Sequence, residues 1–178
     1  MNFIETSRSQ FQAYKALADK AMAQLSDESL LRPSDNESTN SLVTIIQHMR
    51  GNMLSRWTNL LQEDGEKPWR TRDAEFEYHP VDRQGLMQLW EEGWDCVFST
   101  LATLNTRDLD KTIHIRGEGM SAMDGIIRQL MHYAYHVGQI ILICKDNLKE
   151  NWQSLSIPKG KTAEFNAAFI ATHTAGKA

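Results

Sequence analysis

Apolar residues recur at intervals of three and four over most of the chain, the spacing of one face of an α-helix. In a first segment, from about Phe3 to Leu25, the residues Ile4, Phe11, Tyr14, Ala18, Ala21, Met22 and Leu25 share a face. A second opens at Asn40 or Ser41, both good helix N-caps. It carries Leu42, Ile45, Ile46, Met49, Met53, Trp57, Leu60 and Leu61 and ends near Asp64–Gly65, a C-cap signal. A third, from about Val81 to Leu104, turns Leu86, Leu89, Trp90, Gly93, Trp94, Val97, Phe98 and Leu101 inward and Glu91, Glu92 and Asp95 to solvent. A fourth runs from about Ser121 to Asn147. Between them lie a polar linker at 26–40 and a charged loop with interleaved aromatics at 65–80. Residues 112–116 alternate and predict a short extended piece, and the tail beyond Trp152 is less regular. The pattern predicts one all-α domain over residues 1–178, a four-helix bundle whose linkers near 26–40 and 105–120 can carry crossovers.

Composition narrows the chemistry. The 178 residues are 41% hydrophobic and 24% charged, near globular averages, which argues against disorder. A net charge of −4 argues against nucleic acid held by bulk phosphate attraction. Cys96 and Cys144 alone can build neither a disulfide framework nor a four-thiolate zinc site. The first residues, MNFIETSRSQ, lack the apolar run of a secretory signal, and Ile140–Cys144 is too short to span a bilayer. The expectation is a cytoplasmic protein with neither a membrane nor a nucleic-acid partner.

Six histidines remain as candidate ligands. His132 and His136 are four apart, so on a helix they lie one turn apart on one face and can chelate one ion. The alternative is a pair of core-edge imidazoles bonded to neighbours. Tyr133 follows His132 where helical zinc proteases carry their catalytic Glu, so that chemistry is not supported. On the second segment, His48, Asn52 and Arg56 form a polar stripe bordering the apolar face. Arg56 either bonds an acid elsewhere or lines a pocket with Asn52 beside the metal. Three histidines from two helices suit a zinc-like or nickel-like divalent ion and leave a position open for a water or thiol. Gln129 and Gln139 are candidate partners for the imidazoles; Arg128 is either a site residue or a solvent ion pair; Tyr133 and Tyr135 read as packing. His79, His114 and His173 read as bystanders.

The chain resembles the DinB/YfiT-like superfamily of metalloenzymes over nearly its whole length. The resemblance lies in LSDESLLRP, in NSLVTIIQHM with His48, and in RQLMHYAYHVGQI with His132 and His136. The strings GNMLSRW, DGEKPWRTRDAEF and SIPKGKTAEFN are similar to an uncharacterised bacterial branch of it. The resemblance implies an antiparallel four-helix bundle with a crossover, a nickel or zinc site on His48, His132 and His136, and a homodimer. No exposed apolar stripe can be assigned to that dimer from sequence. It also implies thiol-dependent transfer, with a bacillithiol- or glutathione-like thiol held as thiolate against a small electrophile. Arg56 and Asn52 would then orient the substrate. A metal-dependent hydrolase and a non-enzymatic, stress-related binding module, with Trp69, Phe76 and Tyr78 as its surface, are the alternatives.

Overall fold

The computed structural model describes residues 2–36 and 38–174, with only the backbone described for 171–174. Four long helices dominate: α1 (Phe3–Met22), α3 (Leu42–Trp57), α4 (Arg83–Thr103) and α5 (Ala122–Leu148), with a single-turn α2 (Asp27–Leu30) after α1. Each long helix starts at a side-chain cap. Asn2, Ser41, Asp82 and Ser121 each accept a backbone N–H of the first turn. The alternating 112–116 piece is strand β1 (Thr112–Ile115), paired antiparallel with β2 (Glu118–Ser121) in a small hairpin that leads into α5. Arg116 and Gly117 turn it at positive φ.

Contacts between helices fix the directions. Phe11 meets Trp94 and Asp19 accepts from Trp90, so α1 and α4 are antiparallel. Arg50 reaches Glu92 and the Trp57 carbonyl accepts from Thr100, so α3 and α4 run the same way. His48 faces His136 while Trp57 bonds Tyr133, so α3 and α5 are antiparallel. Two helices therefore run each way, and the chain makes its long return between α3 and α4.

Three expectations are corrected. The crossover lies at residues 58–82, not in the linkers near 26–40 or 105–120. The second helix ends at Trp57 and not at Asp64–Gly65, because Thr58 is extended and Asn59 takes a positive φ that asparagine tolerates. Leu60 and Leu61 fall outside it, half-buried. The tail also holds helix α6 (Thr162–Thr174), so it is not irregular throughout.

One aromatic from each long helix meets at the centre. Phe11 packs edge-on to Trp57 and Trp94 and lies 5.7 Å from Tyr133, while Trp94 and Tyr133 are 5.6 Å apart. All four are buried, each ring pair adding about 0.5–1.5 kcal/mol beyond the area it removes from water. The Trp57 indole donates to the Tyr133 hydroxyl (2.9 Å), which donates to Asn52 Oδ1 (3.1 Å). This chain ties α3 to α5 next to the histidines.

Candidate metal centre

The crossover buries α3 on nearly every side. A 3-10 turn at Asp73–Phe76 lays Phe76 flat on His48, ring centroids 4.7 Å apart. His48, Asn52 and Arg56, the stripe at the border of the apolar face, are therefore buried. Across from them α5 presents His132 and His136. The ring centroid of His48 lies 5.5 Å from His132 and 5.0 Å from His136, and the two α5 rings are 4.6 Å apart. One nitrogen from each of the three lies within 4.8 Å of the other two. Among the described residues no carboxylate or thiol joins them.

Hydrogen bonds orient the rings. Glu75 Oε2 lies 3.0 Å from His48 Nδ1, and a carboxylate only accepts, so Nδ1 donates to it and Nε2 is the nitrogen left to serve as a ligand. The Gln139 carbonyl oxygen, 2.8 Å from His136 Nδ1, does the same for His136. His132 Nε2 and His136 Nε2 are 3.0 Å apart. Zinc at about 2.1 Å from each nitrogen in a tetrahedron would separate them by about 3.4 Å, close to the spacing of this pair. Burial, then the neighbouring His136 and His48, lower the His132 imidazole to about 3. Burial likewise lowers His136 to about 4 against the opposing Gln139 bond. Both are neutral near pH 7, the state a ligand requires. The three imidazoles can hold a divalent ion and leave part of its coordination open.

Glu75 is the functional residue that sequence reasoning missed. Arg70 clamps it with two hydrogen bonds of 2.7 and 2.8 Å. Burial works to raise the Glu75 carboxyl, but Arg70 and His48 outweigh it and leave it below the ordinary value. A Cβ on Gly51 would collide with the Glu75 carboxylate, so α3 needs glycine there for Glu75 to reach His48. The signal in the sequence was generic: metal-bound histidines take a carboxylate partner, and 65–80 holds several acids.

The other expected residues sort by their contacts. Gln139 touches His136, whereas Gln129 Oε1 is buried with no hydrogen-bond partner among the described residues. Asn52 accepts from Tyr133. The Arg56 guanidinium donates to the Gly65 carbonyl and the Glu66 carboxylate, holding the start of the crossover. Arg128 is exposed, 4.0 Å from Glu118. Tyr133 is buried in the core; Tyr135 is exposed and accepts from Gln139 Nε2. Tyr78 donates to the Leu31 carbonyl, and Trp69 is exposed. His79 and His114 are exposed and apart from the cluster; the side chain of His173 lies outside the described residues. Burial raises both cysteines, Cys144 to about 12, so neither offers a ready thiolate.

A groove of about 740 Å³ opens beside the centre between the 29–42 stretch and α5, with Asn40, Ile45, Tyr135, Gln139 and Asp146 among its walls. No helix among the described residues is long and apolar enough to cross a membrane. The chain belongs to the family described as protein of unknown function (DUF1572), whose model matches residues 1–161. No curated protein and no solved structure matches it.

Proposed function

We propose that this member of a family without an assigned reaction is a divalent-metal-dependent enzyme of the DinB/YfiT-like type. The reaction proposed is transfer of a small thiol, bacillithiol- or glutathione-like, to an electrophile in the cytoplasm. The observation that carries the reading is the convergence of three imidazoles with no anionic fourth ligand among the described residues. Bound there, nickel or zinc supplies Lewis acidity and favours the thiolate form of a substrate thiol near neutral pH. Because Arg70 neutralises Glu75, the surrounding groups leave the ion's charge uncancelled, which favours an anionic sulfur.

Glu75 and Gln139 engage Nδ1 of His48 and of His136, which leaves each Nε2 as the nitrogen for a metal. Asn52 and Arg56 are proposed to orient the substrate, Asn52 by its amide and Arg56 by its positive charge. The groove beside Gln139 is the proposed approach for the thiol. The hydrolase reading is weaker, because the nearest carboxylate already accepts from Arg70 and His48 and is not free to activate water.

Untagged protein titrated with nickel and zinc tests the site, and His48→Ala should lower affinity at least tenfold, by analogy with the losses seen for metal-site partners. Unchanged affinity would reject the triad. Cobalt-loaded protein should develop a thiolate charge-transfer band on adding bacillithiol or glutathione. A site that binds cobalt yet shows no band with either thiol rejects the transferase reading alone.

A further inference from the structure

The crossover that covers the histidines also walls a second cavity, of about 310 Å³. Helix α3 gives it Gln47, Arg50 and Leu54, α4 gives Leu89, and the crossover gives Trp69 and Arg70. Glu75 is part of the same wall, but none of the three histidines is, and the cavity shares no residue with the groove beside Gln139.

Two polar atoms of these side chains are left over. Arg70 donates from Nε and Nη2 to Glu75, yet its Nη1 is buried with no hydrogen-bond partner among the described residues. Gln47 Oε1 is buried and unpartnered in the same way. A buried polar atom left unmade costs more than a made bond returns, the more so on a charged group, so each such atom asks for a partner. A donor and an acceptor are both orphaned on residues of one cavity, which is the arrangement expected when the partner comes from outside the chain.

The charge of the walls says which partner. Arg50, also in the wall, gives only its Nε–H among the described residues, to Glu92 (2.6 Å), and keeps both Nη groups for a ligand. The one carboxylate in the wall, Glu75, already accepts twice from Arg70 and once from His48. Two guanidiniums beside a carboxylate that is fully used favour an anion, and their planar forks match the two oxygens of a carboxylate. Leu54 and Leu89 add apolar surface, and Trp69, 56% exposed, adds a flat aromatic one. The volume is at the small end of ligand pockets, which hold about 300–1,000 Å³.

We propose that this cavity binds a small organic carboxylate with a flat apolar body and a hydroxyl. The carboxylate pairs with the guanidiniums of Arg50 and Arg70, the body packs against Trp69 and the two leucines, and the hydroxyl donates to Gln47 Oε1. The site goes beyond the thiol reaction and uses none of the three imidazoles.

Calorimetric titration of the full chain with benzoate and the isomeric hydroxybenzoates, with and without zinc, tests it. Benzoate should saturate a single site in both states, and benzamide, which lacks the charge, should bind about tenfold or more weakly. Trp57, Trp90 and Trp94 are buried, so the Trp69 indole N–H, identified by its loss in Trp69→Phe, should be the tryptophan NMR signal that moves most. Arg50→Gln should weaken benzoate about tenfold with unchanged helical circular dichroism, whereas Arg128→Gln on α5 should change nothing. One hydroxybenzoate should bind more tightly than benzoate, and Gln47→Leu should abolish that advantage without lowering stability, because it removes an acceptor that has no partner. The proposal is overturned by no saturable binding, by benzamide or inorganic phosphate binding as tightly as benzoate, by an affinity indifferent to Arg50→Gln, or by a hydroxyl preference that is absent or survives Gln47→Leu. Binding without zinc keeps this outcome separate from that of the metal reading.

Discussion

At the scale of single residues, the centre depends on a carboxylate that is not a ligand. Glu75→Ala removes the acceptor that fixes His48 and leaves the Arg70 guanidinium, 2% exposed, without its counter-charge. Metal affinity should fall about 10–100-fold, and stability by about 3–5 kcal/mol. Adding Arg70→Met should recover much of the stability but not the affinity. Calorimetric titration with zinc and denaturant unfolding read the two effects apart. Recovery of both would mean that Glu75 matters only as the partner of Arg70. Gly51→Ala should mimic the affinity loss by pushing Glu75 away from His48. His132 and His136 were legible because a four-residue spacing on a helix is local geometry. Glu75 was not, because its partner lies 27 positions away and only the crossover brings them together.

At the scale of elements, the bond chain Trp57–Tyr133–Asn52 joins the two helices that carry the ligands. Tyr133→Phe keeps the ring in the aromatic centre but strands a buried indole N–H and takes a donor from Asn52. The expected loss is about 1–3 kcal/mol, read as a lower urea midpoint with an unchanged slope. A midpoint within error of the wild type would show that water replaces the hydroxyl. Periodicity found the long helices and most of their inward faces. It overran α3, because Leu60 and Leu61 prolong the apolar rhythm past a turn made by backbone angles at Thr58 and Asn59. It also took His48, Asn52 and Arg56 for a border stripe, since helical phase cannot show that a loop will fold over a polar face.

At the scale of the whole molecule, the bundle holds His132 and His136 as neutral groups in a partly dry place, and this couples stability to pH. Both fold with their imidazoles lowered, to about 3 and about 4, while in the unfolded chain they titrate near the ordinary value of 6.5. Above about pH 7 neither state binds protons at these sites, so they contribute no pH dependence. As pH falls below 6.5 the unfolded chain takes up protons that the folded chain refuses, and stability declines. The decline should continue to about pH 4 and flatten near 3, once the folded imidazoles also protonate. Bound metal steepens it, because protons then compete with the ion for the same nitrogens. The clean measurement is the difference in unfolding free energy between the metal-free wild type and the His132→Gln/His136→Gln variant across pH 4–8. That difference should shift in favour of the variant as the solution becomes acidic. A difference that stays constant with pH would mean that the imidazoles are as free to protonate in the folded protein as in the unfolded chain.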